Sequence, residues 1–191
     1  MPLIVTSDAA PGAAVMVGQK WTVRTVKGAA VGTGGLSNCM GIVIHSPARN
    51  IGCLAHVEAE AIPQPYGEVF DNFVHYMISK IAKYGGQDAV VGLQVALFGN
   101  NGGLRSEELT ASITESLVGR GVALAEIIDQ RSMVGAGANH PVGTGVRAVG
   151  LNMTGTIVYD PATGSVHAYN LGKIPAVARS ARGVRAKKLQ P

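Results

Sequence analysis

The chain has 191 residues, 47 % hydrophobic and 15 % charged, which suits one domain with a buried core and excludes a disordered polar chain. Two cysteines, Cys39 and Cys53, are too few for a disulfide framework and fit a reducing compartment that leaves a thiol free to work. The formal charge of +4 belongs to one end: six of the sixteen basic side chains lie in residues 173–191, which hold no acid, so residues 1–172 carry ten basic against twelve acidic groups.

The start, MPLIVTSDAAPG, has no basic segment leading into an apolar run, so no Sec-type signal peptide is expected. No apolar stretch reaches the ~20 residues of a membrane span, and the expected location is the cytoplasm. Residues 21–31 alternate and are rich in Val and Thr, as in a strand. GTGGLSN at residues 32–38 reads as a glycine turn, and Cys39 opens the apolar strand CMGIVIH. Ser46-Pro47-Ala48-Arg49-Asn50 reads as a hairpin turn, with IGCLAH at residues 51–56 as the returning strand. From Tyr66 to Tyr84 the period changes: Phe70, Phe73, Val74, Met77, Ile78 and Ile81 form the stripe of an amphipathic helix, stopped by Gly85-Gly86. AVVGLQVALF, residues 89–98, reads as a strand that runs into a loop at Gly99-Asn100-Asn101-Gly102-Gly103. Ser106 is the expected cap of a second helix with Leu109, Ile113 and Leu117 on one face. Residues 122–128 read as a strand, residues 129–146 as a long glycine-rich loop, and MTGTIVYDPATGSVHAYNL as a hairpin turning at residues 160–164. The order β-β-β-α-β-α-β-β-β is not a strict βαβ alternation, so a doubly wound sheet is not expected. The expected class is a single α/β domain with mixed or antiparallel sheets and two main helices.

Thiol-dependent amide hydrolysis requires a nucleophile, a base, a group to orient the base, and N–H donors for the oxyanion. Cys39 stands at a turn-to-strand junction, where backbone N–H groups at Ser37 and Asn38 are candidate oxyanion donors. His56 ends the strand that should pair with the one Cys39 begins. A turn at residues 46–50 would bring both to one end of the ribbon. Thr33, across the glycine turn, is placed to hold the imidazole in one tautomer through its hydroxyl or its carbonyl. Spacing alone leaves a second reading open: a buried small cysteine, a strand-end histidine and a turn hydroxyl.

The run GTGGLSNCMGIVIHSPARNIGCLAHVEAE, residues 32–60, resembles the signature of the CheD family of protein-glutamine deamidases. That signature is Thr, five residues, Cys, sixteen residues, His, with Leu three before the Cys; Thr33, Cys39 and His56 match it without a gap. Ser37-Asn38 stand where the family has Gly-Ser. The later helices, the asparagine loop and the closing hairpin follow in the family's order, so the likeness covers roughly residues 14–171. It implies a deamidase domain over residues 14–172, between an N-terminal segment, 1–13, and the basic tail, 173–191. It further implies an α/β sandwich with the site at a sheet edge, and hydrolysis of protein glutamine to glutamate through a thioester, with Cys39, His56 and Thr33 catalytic and no metal or cofactor. Family substrates are chemoreceptors, in chemotaxis, and a CheC-type phosphatase is a possible regulatory partner. A toxin or effector deamidase would share the same site.

Cys53-Leu54-Ala55-His56 is also similar to the C-L-x-H segment of protein N-terminal asparagine amidohydrolases. An N-terminal amidase, a transglutaminase-like enzyme on the same thioester, and a catalytically idle binding module therefore stand beside the deamidase. Zinc is conceivable from Cys39, His45, Cys53 and His56, but Cys53, three residues before His56, should face the other way on a strand, so no metal is expected. Asn100, Asn101 and His140 are candidates for substrate contact. The tail suits an acidic partner; no aromatic residue follows Tyr169, which argues against stacking on nucleic acid.

Overall fold

The structure, a computed structural model, describes residues 1–6, 14–16, 22–36, 39–58, 66–100, 105–131, 155–169 and 187–188. Its centre is the hairpin of β5 (Cys39–Ser46) and β6 (Ile51–Glu58), joined through residues 47–50. These strands lack polar alternation because both of their faces are covered, one by helices and one by a second sheet. Met40, Ile42, Ile44, Cys53, Ala55 and Val57 pack on the helix side, whereas Val43 and Leu54 pack on the sheet side.

Around this hairpin lies a six-stranded sheet in the order β11 (Lys187–Lys188), β3 (Thr22–Lys27), β6, β5, β7 (Gln94–Gly99), β8 (Ile127–Asp129). All its pairings are antiparallel except β7 with β8, which the crossover through α2 (Ser106–Gly119) makes parallel. The second sheet has the order β1 (Ile4–Thr6), β10 (Ser165–Tyr169), β9 (Thr156–Asp160), β4 (Val31–Gly34), β2 (Val15–Met16). Helix α1 (Tyr66–Gly85) presents Phe70, Phe73, Val74, Met77 and Ile81 to the six-stranded sheet, and Leu109, Ile113 and Leu117 of α2 join the same core. The architecture is thus an α/β sandwich of mixed sheets, with both helices on one face. No helix among the described residues is long and apolar enough to cross a membrane.

Several boundaries differ from the sequence reading. The strand expected over residues 21–31 is two strands, β3 and β4, one in each sheet, parted at Gly28, whose φ is 72°. GTG at residues 32–34 lies within β4; the turn proper begins at Gly35, φ 82°. Residues 87–90 form a 3₁₀ turn, and Gly92 at φ 62° delays β7 until Gln94. Residues 124–126 are likewise 3₁₀, leaving β8 only three residues. Ser106 is the first residue of α2 and not its cap; Arg105, at φ 59°, takes the cap position without a side-chain capping bond to the helix. The N-terminal segment supplies β1, and the basic tail returns to the sheet edge at Lys187–Lys188.

Candidate functional site

The register of the central hairpin sets the site. Gly41 lies directly opposite His56 and Cys39 opposite Glu58. Side chains two apart on a strand share a face, so Cys39 and His56 both face the second sheet, as diagonal neighbours about 7–8 Å apart. Between them Gly41 carries no side chain. A Cβ there would sit 2.9 Å from Ile157 Cδ1 and 3.0 Å from Leu36 Cδ1, so Leu36, fully buried just after Gly35, fills the space beside the pair. Cys39 is half-buried at the start of β5.

The second sheet reaches His56 through Thr33 on β4, whose Oγ1 lies 2.8 Å from His56 Nδ1. Both residues are 0 % exposed. Of the two orienting groups considered from sequence, it is the hydroxyl that makes this contact, and it comes across the sandwich from the opposing sheet. Burial pulls the His56 pKa from the ordinary 6.5 to about 4, so the imidazole is neutral at pH 7. When Nδ1–H donates to Thr33 Oγ1, the tautomer is the one that leaves a lone pair on Nε2. That Nε2 is buried and has no hydrogen-bond partner among the described residues.

His45, four residues along β5 from Gly41, is the contrasting case. It too is buried and faces a glycine across the ladder, Gly52. Its Nε2 donates to the Met1 carbonyl at 2.8 Å, and its Nδ1 accepts from the Tyr159 hydroxyl at 2.7 Å. Both His45 nitrogens are thus engaged, whereas His56 Nε2 has no partner among the described residues. Burial lowers the His45 pKa too, against the raising effect of the Met1 carbonyl. The four possible zinc ligands are dispersed: Cys53 packs among the helix-side core residues with its Sγ 3.5 Å from the Met77 carbonyl, and His45 lies at the far end of the ladder from Cys39 and His56.

The loop after β7 reaches the same end of the sheet. The β5–β7 ladder closes at Met40 opposite Gly99, next to Cys39, and Asn100 is the residue that follows Gly99. Gly99 and Asn100 both take left-handed backbone, φ 75° and 51°. The Asn100 carbonyl accepts from the Ser106 hydroxyl. Arg131 Nη1 in turn donates to Ser106 Oγ at 2.7 Å, and Arg131 grips the Asp129 carboxylate through Nε at 3.0 Å and Nη2 at 2.8 Å. Asn100 is 1 % exposed, and neither Oδ1 nor Nδ2 has a hydrogen-bond partner among the described residues. Each such unpaired group costs about 1–3 kcal/mol.

Thr33, Cys39, His56 and Asn100 thus lie at the same end of the sandwich, with Thr33 and His56 in contact, while Ser37, Asn38, Asn101 and His140 lie outside the described residues. The sequence reading missed Gly41 and the Ser106–Arg131 anchor. Gly41 had a usable signal, since the hairpin register alone pairs residues 41 and 56. Arg131 had none, being one charge at the head of a long loop.

Fold and geometry together define an α/β sandwich with a half-buried thiol and an oriented, neutral, buried imidazole on one inner face. No family profile and no curated protein matches the chain.

Proposed function

We propose that the protein is a cysteine-dependent amidohydrolase that deamidates glutamine side chains of a protein substrate. The observation that carries this reading is the Thr33–His56 contact, which orients a neutral imidazole with an open Nε2 on the strand face that also bears Cys39. The likeness of residues 32–60 to the CheD signature supplies the substrate class.

In this mechanism Nε2 of His56 takes the Cys39 proton as sulfur attacks the carboxamide carbon. Thr33 Oγ1 accepts from Nδ1–H throughout and stabilises the imidazolium that forms. The tetrahedral intermediate expels ammonia, which leaves with the proton His56 returns, and a thioester remains on Cys39. His56 then takes a proton from water as its oxygen attacks the thioester carbonyl. The C–S bond breaks, the thiol is restored and glutamate is released. No electron acceptor and no metal enters the balance. The open His56 nitrogen is ready for this sequence, and its low basicity favours return of the proton to the leaving groups. The expected setting is cytoplasmic, with a chemoreceptor-like or other glutamine-bearing protein as substrate and an acidic partner for the tail.

The test is to incubate the full chain with a mixture of folded bacterial proteins and map amide-to-acid conversions by mass spectrometry. Conversion at internal glutamines supports the reading. Conversion only at N-terminal amides would replace the substrate class and keep the chemistry, and no conversion in any protein or peptide would leave a binding module.

A further inference from the structure

We propose that Asn100 recognises the scissile carboxamide, pairing its own amide with that of the substrate beside Cys39. The proposal rests on the amidohydrolase reading and adds to it the group that tells an amide from an acid.

Three observations carry it. The first is the buried, unpaired carboxamide: at 1 % exposure, both Oδ1 and Nδ2 lack partners among the described residues. Buried polar groups are nearly always satisfied, so one that is not points to an absent partner. The second is place. Asn100 directly follows Gly99, whose pair Met40 is the neighbour of Cys39. The two backbones are in close approach, for a Cβ added to Gly99 would lie 2.4 Å from the Cys39 carbonyl oxygen and 2.5 Å from that of Leu36. The third is that the loop is held without this side chain. The backbone carbonyl of Asn100 is fixed by Ser106, and Ser106 by the buried Arg131. Left-handed φ explains a preference for Asn, Asp or Gly at this position, but not a buried amide without a partner among the described residues.

A carboxamide is the complement of another carboxamide. Nδ2–H donates to the substrate carbonyl and Oδ1 accepts from the substrate N–H. The product carboxylate has no N–H to offer Oδ1 and sets an acceptor against it. The same residue would therefore favour amide over acid and assist product release.

The experiment uses the full chain with Asn100→Gly and Asn100→Asp. Both replacements tolerate the left-handed backbone; Gly removes the side chain, and Asp keeps its shape without the N–H donors. Alkylation of Cys39 is timed with iodoacetamide, which carries a carboxamide, and with methyl methanethiosulfonate, which does not. Cys53→Ala in every protein leaves one thiol. The iodoacetamide rate, relative to methyl methanethiosulfonate, should fall about tenfold in both variants, the loss of one good hydrogen bond. Deamidation of a glutamine peptide should fall with it, with KM rising in both. A relative rate within twofold of wild type in both variants, or equal loss with both reagents, would overturn the proposal. Absence of deamidation in the wild type, by contrast, would remove the enzyme reading whatever the alkylation ratio.

Discussion

Lowering the pH from 7 to 4 should remove about 3 kcal/mol of folding stability through His56 alone. The imidazole is 0 % exposed, and burial brings its pKa from 6.5 down to about 4. Between these values the unfolded chain binds a proton that the folded chain does not. The stabilisation is therefore complete above about pH 6.5 and is lost as pH falls toward the folded value. At about 1.4 kcal/mol per pH unit the interval gives about 3 kcal/mol. Thr33 offsets only part of this, since its hydroxyl accepts from Nδ1–H in both protonation states and gains only the difference between a charged and a neutral donor. Urea unfolding at steps from pH 7 to 4, compared with His56→Gln, isolates the contribution. His45, also shifted down, titrates in both proteins and cancels. The wild-type midpoint should fall by about 1–3 M more than that of the variant, given ordinary urea slopes. Parallel pH dependences in the two proteins would refute the assignment of a buried neutral base. Under the proposed mechanism, the acid limb of amide hydrolysis should likewise lie near pH 4 and not near 6.5.

Thr33→Ser should keep much of the activity and Thr33→Ala should lower it, by less than His56→Ala does. The Thr33–His56 double variant should be no worse than His56→Ala, because groups acting as one unit are not additive; multiplicative losses on one amide substrate would give Thr33 a separate role. Gly41→Val should cost about 1–3 kcal/mol, measured by urea unfolding, because a side chain there meets Ile157 and Leu36, and it should depress activity by pressing the second sheet, where Ile157 pairs with Thr33, away from His56. Removing residues 173–191 takes away only the two-residue β11 pairing among the described contacts. Turnover of a small glutamine peptide should not change, and any effect on acidic partner proteins should fade with salt.

The central hairpin was legible because each of its signals was local: the Pro-Ala-Arg-Asn turn and the two apolar strands that flank it. The helix α1 was legible from its stripe, and the opposite facing of Cys53 and His56 from strand parity alone. By sequence Gly28 and Gly35 belong to one strand and one turn, although they mark crossings between sheets; no residue in the sequence says which sheet a Val-Thr strand joins. The same ignorance hid the path by which Thr33 reaches His56. Sequence set them near each other through a turn, and the structure brings them together face to face across a sandwich. The Ser106–Arg131 anchor was illegible because its partners are separated by 25 residues and by the whole of α2. Ser106 has the residue type of a cap but spends its hydroxyl on the Asn100 carbonyl.

The central claim is that Cys39 is the nucleophile of an amide hydrolysis served by His56. Ammonia release from a glutamine peptide, with amide-to-acid conversion followed by mass, should be lost in Cys39→Ala and retained in Cys53→Ala, both proteins remaining folded. Wild-type ammonia release by Cys39→Ala would contradict the account outright.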